Sequence, residues 1–505
     1  MSTRRKAVLT ILILLTVLIL VLAVAVPRLA DIDRYRPEVI ARIERGSGRS
    51  AKIAKLDLTI LPVLAIRADN IAIGNPPGFP AGNFLEIRRV YAKLDPGALL
   101  HRRIVIRSLQ LEAPRLSLIS DRAGRWNTEG PARARVQVQP SAWQSTPAPA
   151  TVIASVTVEH ARLTAANVLP SGELGPPSVE ANGISAELKD IDTEALGLHL
   201  TEGLDQGLTG GSRVKRAQRL RPALLGVAWA ASSFQGAPES LPAQTPRGPL
   251  AAKGTIAVDS ARFGAIAATG IKSGLEIYRD GLLARNIVLQ LFGGQVTGDL
   301  LWTPSSQPPR YASHLAFAGI DMERALLNFP SARGKLTGKL DGSVGISGWT
   351  AARDTDTPAD PLANLQGEGD VTIHDGSLPA IRLNRDLTLL MKNVVRTAQG
   401  SPDPSTFRSL SADFEIGQGE IRSRQIAILG NGINLNVSGS VAIAGAGKLD
   451  YRGTGEITAR QSVGSLVAGL LGSTMGAGGK ITFPFTLTGT LIAPRFEAPR
   501  SPFLR

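Results

Sequence analysis

The sequence predicts a mainly β fold: an antiparallel sheet of many short strands, a few short helices, and one N-terminal helix long enough to span a membrane. Three observations carry this. Apolar residues recur at every second position in run after run, as at Ile433, Leu435 and Val437. Gly and Asn residues separate many of these runs at roughly ten-residue spacing, the mark of an antiparallel meander. Residues 7–26 carry no charge, and only Thr10 and Thr16 there are polar.

At about 1.5 Å rise per residue, a helix of that length covers the roughly 30 Å hydrocarbon core of a bilayer. Helix is the expected form, because lipid offers the backbone no partners. Arg4, Arg5 and Lys6 precede the segment, which favours a cytoplasmic tail at 1–6 and an exported body. Ala23-Val24-Ala25 resembles a signal cleavage site, but the apolar run exceeds the ~7–15 residues of a signal core. A retained single-pass anchor is the expectation.

The chain has 505 residues and no cysteine, which rules out disulfides and thiolate metal sites. With 56 Lys and Arg against 42 Asp and Glu, net charge is +14. Such a balance suits an anionic partner. Nucleic acid is not expected: aromatics are only 5%, too sparse for base stacking, and no nucleic-acid module is recognisable. Anionic lipid is the better match.

Taken in order, 31–45 places Ile32, Tyr35, Val39, Ile40 and Ile43 at helical spacing, with Gly46 and Gly48 ending the helix. A strand follows at 51–61, where Ile53, then Leu56, Leu58 and Ile60 alternate with polar residues. Short strands are expected at 64–66 and 71–73, with a turn at Asn75-Pro76-Pro77-Gly78. Further strands are read at 84–94, 104–111 and 116–119, and a turn at 121–125.

These residues resemble a family. An anchor, IDRYRPEVIARIERGSGR, IRADNIAIGNPPGF, LDPGALLHRRIVIRSLQLEAPRLSL and DRAGRWN follow one another as they do at the start of AsmA-type proteins. GEGDVTIHDGSL through KITFPFTLTGTLIAPRF is similar to their C-terminal part. The resemblance divides the chain into an N-terminal domain at 27–130, a central region at 151–350 and a C-terminal domain at 366–505.

Residues 131–150 are rich in Pro, Ala, Gln and Ser and read as a linker. A strand is expected at 151–158, a turn at 159–162, and strand again at Leu163 and Ala165, then at 184–188. Residues 200–254 read as a basic insert that departs from the family pattern. Short strands follow at 255–258, 275–278, 287–291, 295–301, 336–340 and 344–346, with a short helix at 321–329 capped by Asp321. A polar loop is read at 351–365. Strands then alternate with helices expected at 383–395 and 462–471, and the last strand is 480–487.

Each strand has one apolar and one wettable face. The apolar face needs cover. A second sheet would make a sandwich, and bending lengthwise would make a trough; periodicity leaves both open. The resemblance implies the trough: an elongated antiparallel sheet bent into an apolar groove that carries phospholipid between bacterial envelope membranes. On that reading the chain is anchored in the inner membrane with its bulk in the periplasm, and supports outer-membrane biogenesis. At about 4.8 Å spacing, about 25 strands extend roughly 120 Å, which leaves room for an outer-membrane or periplasmic partner protein at the far end. Candidate lining residues are Val152, Val156 and Val158; Phe414 and Ile416; Ile426 and Ile428; Ile433, Leu435, Val437, Val441 and Ile443; and Phe483 and Phe485. The alternative is an assembly factor or scaffold for outer-membrane proteins, working through sheet edges. No catalytic, cofactor or metal motif is found: His101, His160, His199, His314 and His374 are scattered, and no phosphate-binding loop or GxSxG occurs.

Overall fold

Runs of alternating residues pair with the run that follows them along almost the whole chain. The computed structural model describes residues 32–59, 63–100, 105–128, 152–192, 246, 248–306, 308–327, 332–349, 364–378, 406–430, 433–443, 447–458, 480–490 and 493–497. The expected anchor, the linker at 131–150, most of the insert at 200–254, most of the loop at 351–365 and the helices expected at 383–395 and 462–471 lie outside them. No helix among the described residues is long and apolar enough to cross a membrane. What is described is mainly β, twenty strands of a long antiparallel sheet with few helices. Two compact units emerge: Met1–Pro222 with Gly248–Gly264 and Gly274–Arg279, and Ala223–Arg247 with Ala265–Ser273 and Asp280–Arg505.

The first unit begins in a 3-10 turn (Ile32–Tyr35) that runs into α1 (Arg36–Ser47). Pro37 sits in the first helical turn, where its missing N–H costs nothing. Gly48, at φ 69°, ends the helix and donates its N–H to Glu44 O at 2.8 Å. Val39, Ile40 and Ile43 pack on Ile53, Leu56 and Ala68 of the sheet. Strands β1 (Ala51–Thr59), β2 (Ala65–Gly74) and β3 (Asn83–Leu94) pair antiparallel in turn. The short α2 (Pro96–Leu100) leads to β4 (Val105–Glu112) and β5 (Arg115–Ser120), and both pair with β3.

Next comes a departure from the expected meander. Strand β6 (Val152–Asn167) lies parallel to β4 and β5. Ser120 and Val152 therefore lie toward opposite ends of these strands, so β5 and β6 are not the two arms of a hairpin. Antiparallel pairing resumes with β7 (Val179–Ile191) and β8 (Leu250–Phe263). Thus regular strand starts inside the stretch read as an insert ending at 254.

Several expected breaks are not breaks. The strands read at 64–66 and 71–73 are both β2, and the turn read at 159–162 lies inside the sixteen-residue β6. In each case one residue takes the left-handed conformation in mid-strand: Asn70 at φ 51° and His160 at φ 53°. Such a residue hands the apolar positions from even to odd numbers, and at His160 the pairing with β7 shifts register as well. Ala113 at φ 48° hands them from odd to even between β4 and β5.

In the second unit the strands are β10 (Leu282–Leu291), β11 (Gly294–Thr303), β12 (Arg310–Asp321), β13 (Thr337–Trp349), β14 (Gln366–Ser377) and β15 (Thr406–Gly417). Then come β16 (Glu420–Gly430), β17 (Ile433–Ala442), β18 (Lys448–Thr458), β19 (Lys480–Thr490) and β20 (Pro494–Glu497). Each pairs antiparallel with the next. Strand β9 (Ile266–Tyr278) is divided between the units. Helix α3 (Met322–Leu326) is shorter than the expected 321–329, and Asp321 caps it through a bond from Arg324 N at 3.1 Å. The strands read at 336–340 and 344–346 are one strand, β13, which passes straight through Gly342. Strands β12 and β20 were not foreseen.

Aromatic rings in this unit lie over glycines on the neighbouring strand. Phe483 faces Gly455 and Phe485 faces Gly453. A methyl group on Gly455 would stand 2.4 Å from the tip of the Phe483 ring, far inside contact distance. Gly455→Ala is therefore expected to destabilise the protein by about 1–3 kcal/mol, the usual cost of overpacking. Chemical denaturation should show that cost shrinking in a Phe483→Leu background, where the space is returned.

Candidate functional site

Cross-strand register decides which side chains stand together. In the first unit one row runs from Leu56 and Ala68 through Val90 and Leu111 to Val158, Ala186 and Ile256. The row beside it runs from Leu58 and Ile66 through Ala92 and Leu109 to Val156, Leu188 and Gly254. No charged or polar residue interrupts either row over seven strands. Most of these side chains are half-buried, as each is shielded by its neighbours on the same face.

The second unit repeats the pattern over more strands. One row starts at Leu289, Val296 and Phe317, and passes Gly342, Val371 and Ala412. It continues through Ile426, Val437 and Gly453 to Phe485. A second row runs from Leu340 through Ile373, Leu410, Ile428, Leu435 and Gly455 to Phe483. Ser423 and Tyr451 are the polar members of a third; they face one another across Gly439 and hydrogen-bond through their side chains.

The candidate lining residues distribute as follows. Val156 and Val158 stand half-buried in the two rows of the first unit. Phe414, Ile416 and Val437 are buried, while Ile426, Ile428, Leu435, Val441 and Ile443 are half-buried. Ile416, Ile421 and Val441 stand side by side on neighbouring strands. Phe483 is fully buried and Phe485 nearly so, their rings 6.4 Å apart, so both rings pack within the sheet face. Val152 and Ile433 take their places in β6 and β17.

The reverse face is charged. Arg67 bonds Asp69, Arg89 bridges Asp69 and Glu112 at 3.0 Å each, and Arg88 also meets Glu112. The Arg67 guanidinium, with Arg89 beside it, holds the Asp69 carboxyl below the usual carboxylate range. Glu456 pairs with Lys480 and Asp321 with Lys339, each at 2.9 Å. One surface of each unit is thus wet and ion-paired while the other is apolar.

A buried polar node at one edge of the first unit was not anticipated. Asn127 is fully buried. Its Oδ1 accepts from Ile119 N, and its Nδ2 donates to Asn75 Oδ1 and Ser117 O, all at 2.9 Å. Arg49 Nη2 donates to Asn127 O, and its guanidinium lies 4.2 Å over the Phe84 ring. Burial pulls the Arg49 guanidinium below its ordinary pKa. Arg49, Asn75 and Asn127 come from GSGR, GNPPGF and GRWN. Three of the stretches quoted for the resemblance therefore meet in one place. Among the described residues no group of three His, Cys, Asp or Glu could hold a metal ion.

Two outcomes follow. A charge placed in the apolar row, Val156→Asp, is expected to cost about 1–3 kcal/mol in urea unfolding, whereas Gln110→Asp on the wet face stays within about 0.5 kcal/mol. Asn127→Ala strands a buried N–H and is expected to cost about 1–3 kcal/mol, with hydrogen exchange at Ile119 rising first.

No curated protein and no solved structure matches the chain. The model of the AsmA family matches residues 1–167, the span that holds the node and the first strands of the apolar rows. Over that N-terminal third the chain is similar to the AsmA family.

Proposed function

We propose that the chain is a single-pass inner-membrane protein whose periplasmic body binds phospholipid along its apolar sheet face and transfers it, in support of outer-membrane biogenesis. The observation that carries this reading is the uninterrupted apolar row, seven strands long in the first unit and ten in the second. Acyl chains laid along it would gain about 0.8 kcal/mol per buried CH₂. Headgroups would stay at the wet margin. The register shifts between β6 and β7 beside the left-handed His160 favour bending, since a bulge curves its strand and raises its twist. That supports a trough over a flat sheet. No bond is made or broken in such a process.

The alternative, strand addition to client proteins, needs a long bare edge. Strand β20 has four residues and starts with Pro494, which makes it a poor template.

Photo-cross-linkers at Val156 and Leu435 are expected to capture phospholipid in cells, while Thr157 and Asn436, one residue along, are not. Equal labelling at all four positions, or none together with cross-links to outer-membrane proteins, would overturn the reading.

A further inference from the structure

We infer that one corner of the first unit, made by Arg34 and Tyr35 of the 3-10 turn and by Val63 between β1 and β2, docks on the surface of an anionic bilayer. The inference rests on the membrane tether of the proposed function and adds to it the surface that faces the lipid.

Register places the corner. Thr59 of β1 pairs with Ala65 of β2, so Val63 lies at the edge where β1 ends. Following the pairs across the unit, that same edge holds Lys93, Asp95, Val105, Ile191, Asp192 and Leu250. The chain enters beside it. Asp33 Oδ1 accepts from Leu56 N at 3.0 Å, and Arg36 donates to Ala54 O, which ties the 3-10 turn and the start of α1 to the middle of β1. Helix α1 then runs back to the start of β1, where Glu44 Oε1 accepts from Ala51 N at 2.9 Å. The node of Arg49, Asn75 and Asn127 stands at that opposite edge.

Chain length sets the distance to the bilayer. Residues 27–31 are all that separates the uncharged segment from Ile32. Six Cα–Cα steps, fully extended, span at most about 20 Å. Because α1 runs from the middle of β1 back to Ala51, the chain comes in from the side on which Val63 lies.

The side chains suit the headgroup layer. Tyr35 is 46% exposed and Val63 40%. Arg34 lies 4.8 Å from the centre of the Tyr35 ring and donates to its hydroxyl at 2.8 Å. A tyrosine paired with a cation is the combination enriched at membrane interfaces, the ring in the boundary and the charge among phosphates. Leu58 and Ile66 open the apolar row closest to this edge, so docking would set the beginning of that row against the lipid. Leu174, 48% exposed in the β6–β7 hairpin at the opposite edge, is an internal control.

The chain lacks cysteine, so single labels are clean. The full chain carrying an NBD dye on Val63→Cys, Tyr35→Cys or Leu174→Cys would be reconstituted in vesicles of three parts phosphatidylethanolamine to one part phosphatidylglycerol. Dyes at 63 and 35 are expected to be blue-shifted, quenched by headgroup spin-labelled lipid and several-fold less quenched by iodide than the dye at 174. Omitting phosphatidylglycerol, or adding Arg34→Glu, is expected to move the dye at 63 toward the wet signature. Equal iodide quenching at 63, 35 and 174 in protein that resists carbonate extraction overturns the docking and leaves the tether intact. An unchanged dry signature without the anionic lipid overturns the headgroup preference. Release of the protein by carbonate overturns the tether and the docking together.

Discussion

A slip of one residue between β4 and β6 would swap Leu109 for Gln110 beside Val156. That is the constraint on which the rest depends, because a pleated strand presents its side chains to opposite faces in strict turn. Every strand of a row must agree with its neighbours, or a polar residue lands among apolar ones. Seven strands agree in the first unit and ten in the second. The ion pairs of Arg89 with Asp69 and with Glu112 on the reverse face reinforce the same register, since a slip would part them as well.

Where the alternation is regular, the structure was legible. Strands β1 and β3 lie within a few residues of where the periodicity puts them, and so does α1, whereas β16 joins the runs at Ile421 and Ile426–Ile428 and β17 those at Ile433–Val437 and Val441. Where a left-handed residue stands in mid-strand, the pattern loses count and one strand reads as two. Asn70 and His160 produced the two false breaks in the first unit. In β12 the signal failed for another reason. Ala312, Ala316 and Ala318 put small apolar residues on the face opposite Leu315 and Phe317, so the contrast between greasy and wet positions nearly vanishes. The parallel pairing of β4 and β5 with β6 has no local signal at all, because register between distant segments is set by the sheet as a whole.

The candidate site was legible as a set of positions but not as a surface. Alternation names Val156, Leu435 and Ile428 as facing one way, yet only the register joins Ile428 to Leu435 and both to Gly455. Burial was not legible. Phe483 and Leu435 look alike in sequence, but Phe483 is covered completely and Leu435 only in part, because the ring has a glycine to lie on. The Asn127 node was hidden for the opposite reason. Its three residues are ordinary turn formers one by one, and their meeting depends on Gly48, the turn at 75–78 and the turn at 121–125 arriving at the same edge.

The parallel step has a consequence for how the protein comes to be folded. A chain delivered N-terminus first can pair β1, β2, β3, β4 and β5 as they emerge, each closing a short loop. After Ser120 it must wait until Val152 has appeared before β4 and β5 gain their second neighbour. Closing so wide a loop is slow compared with zipping a hairpin. Meanwhile Val105 and Leu109 belong to a naked, sticky margin, and a holding chaperone would find its best target there in the interval between those two moments of synthesis.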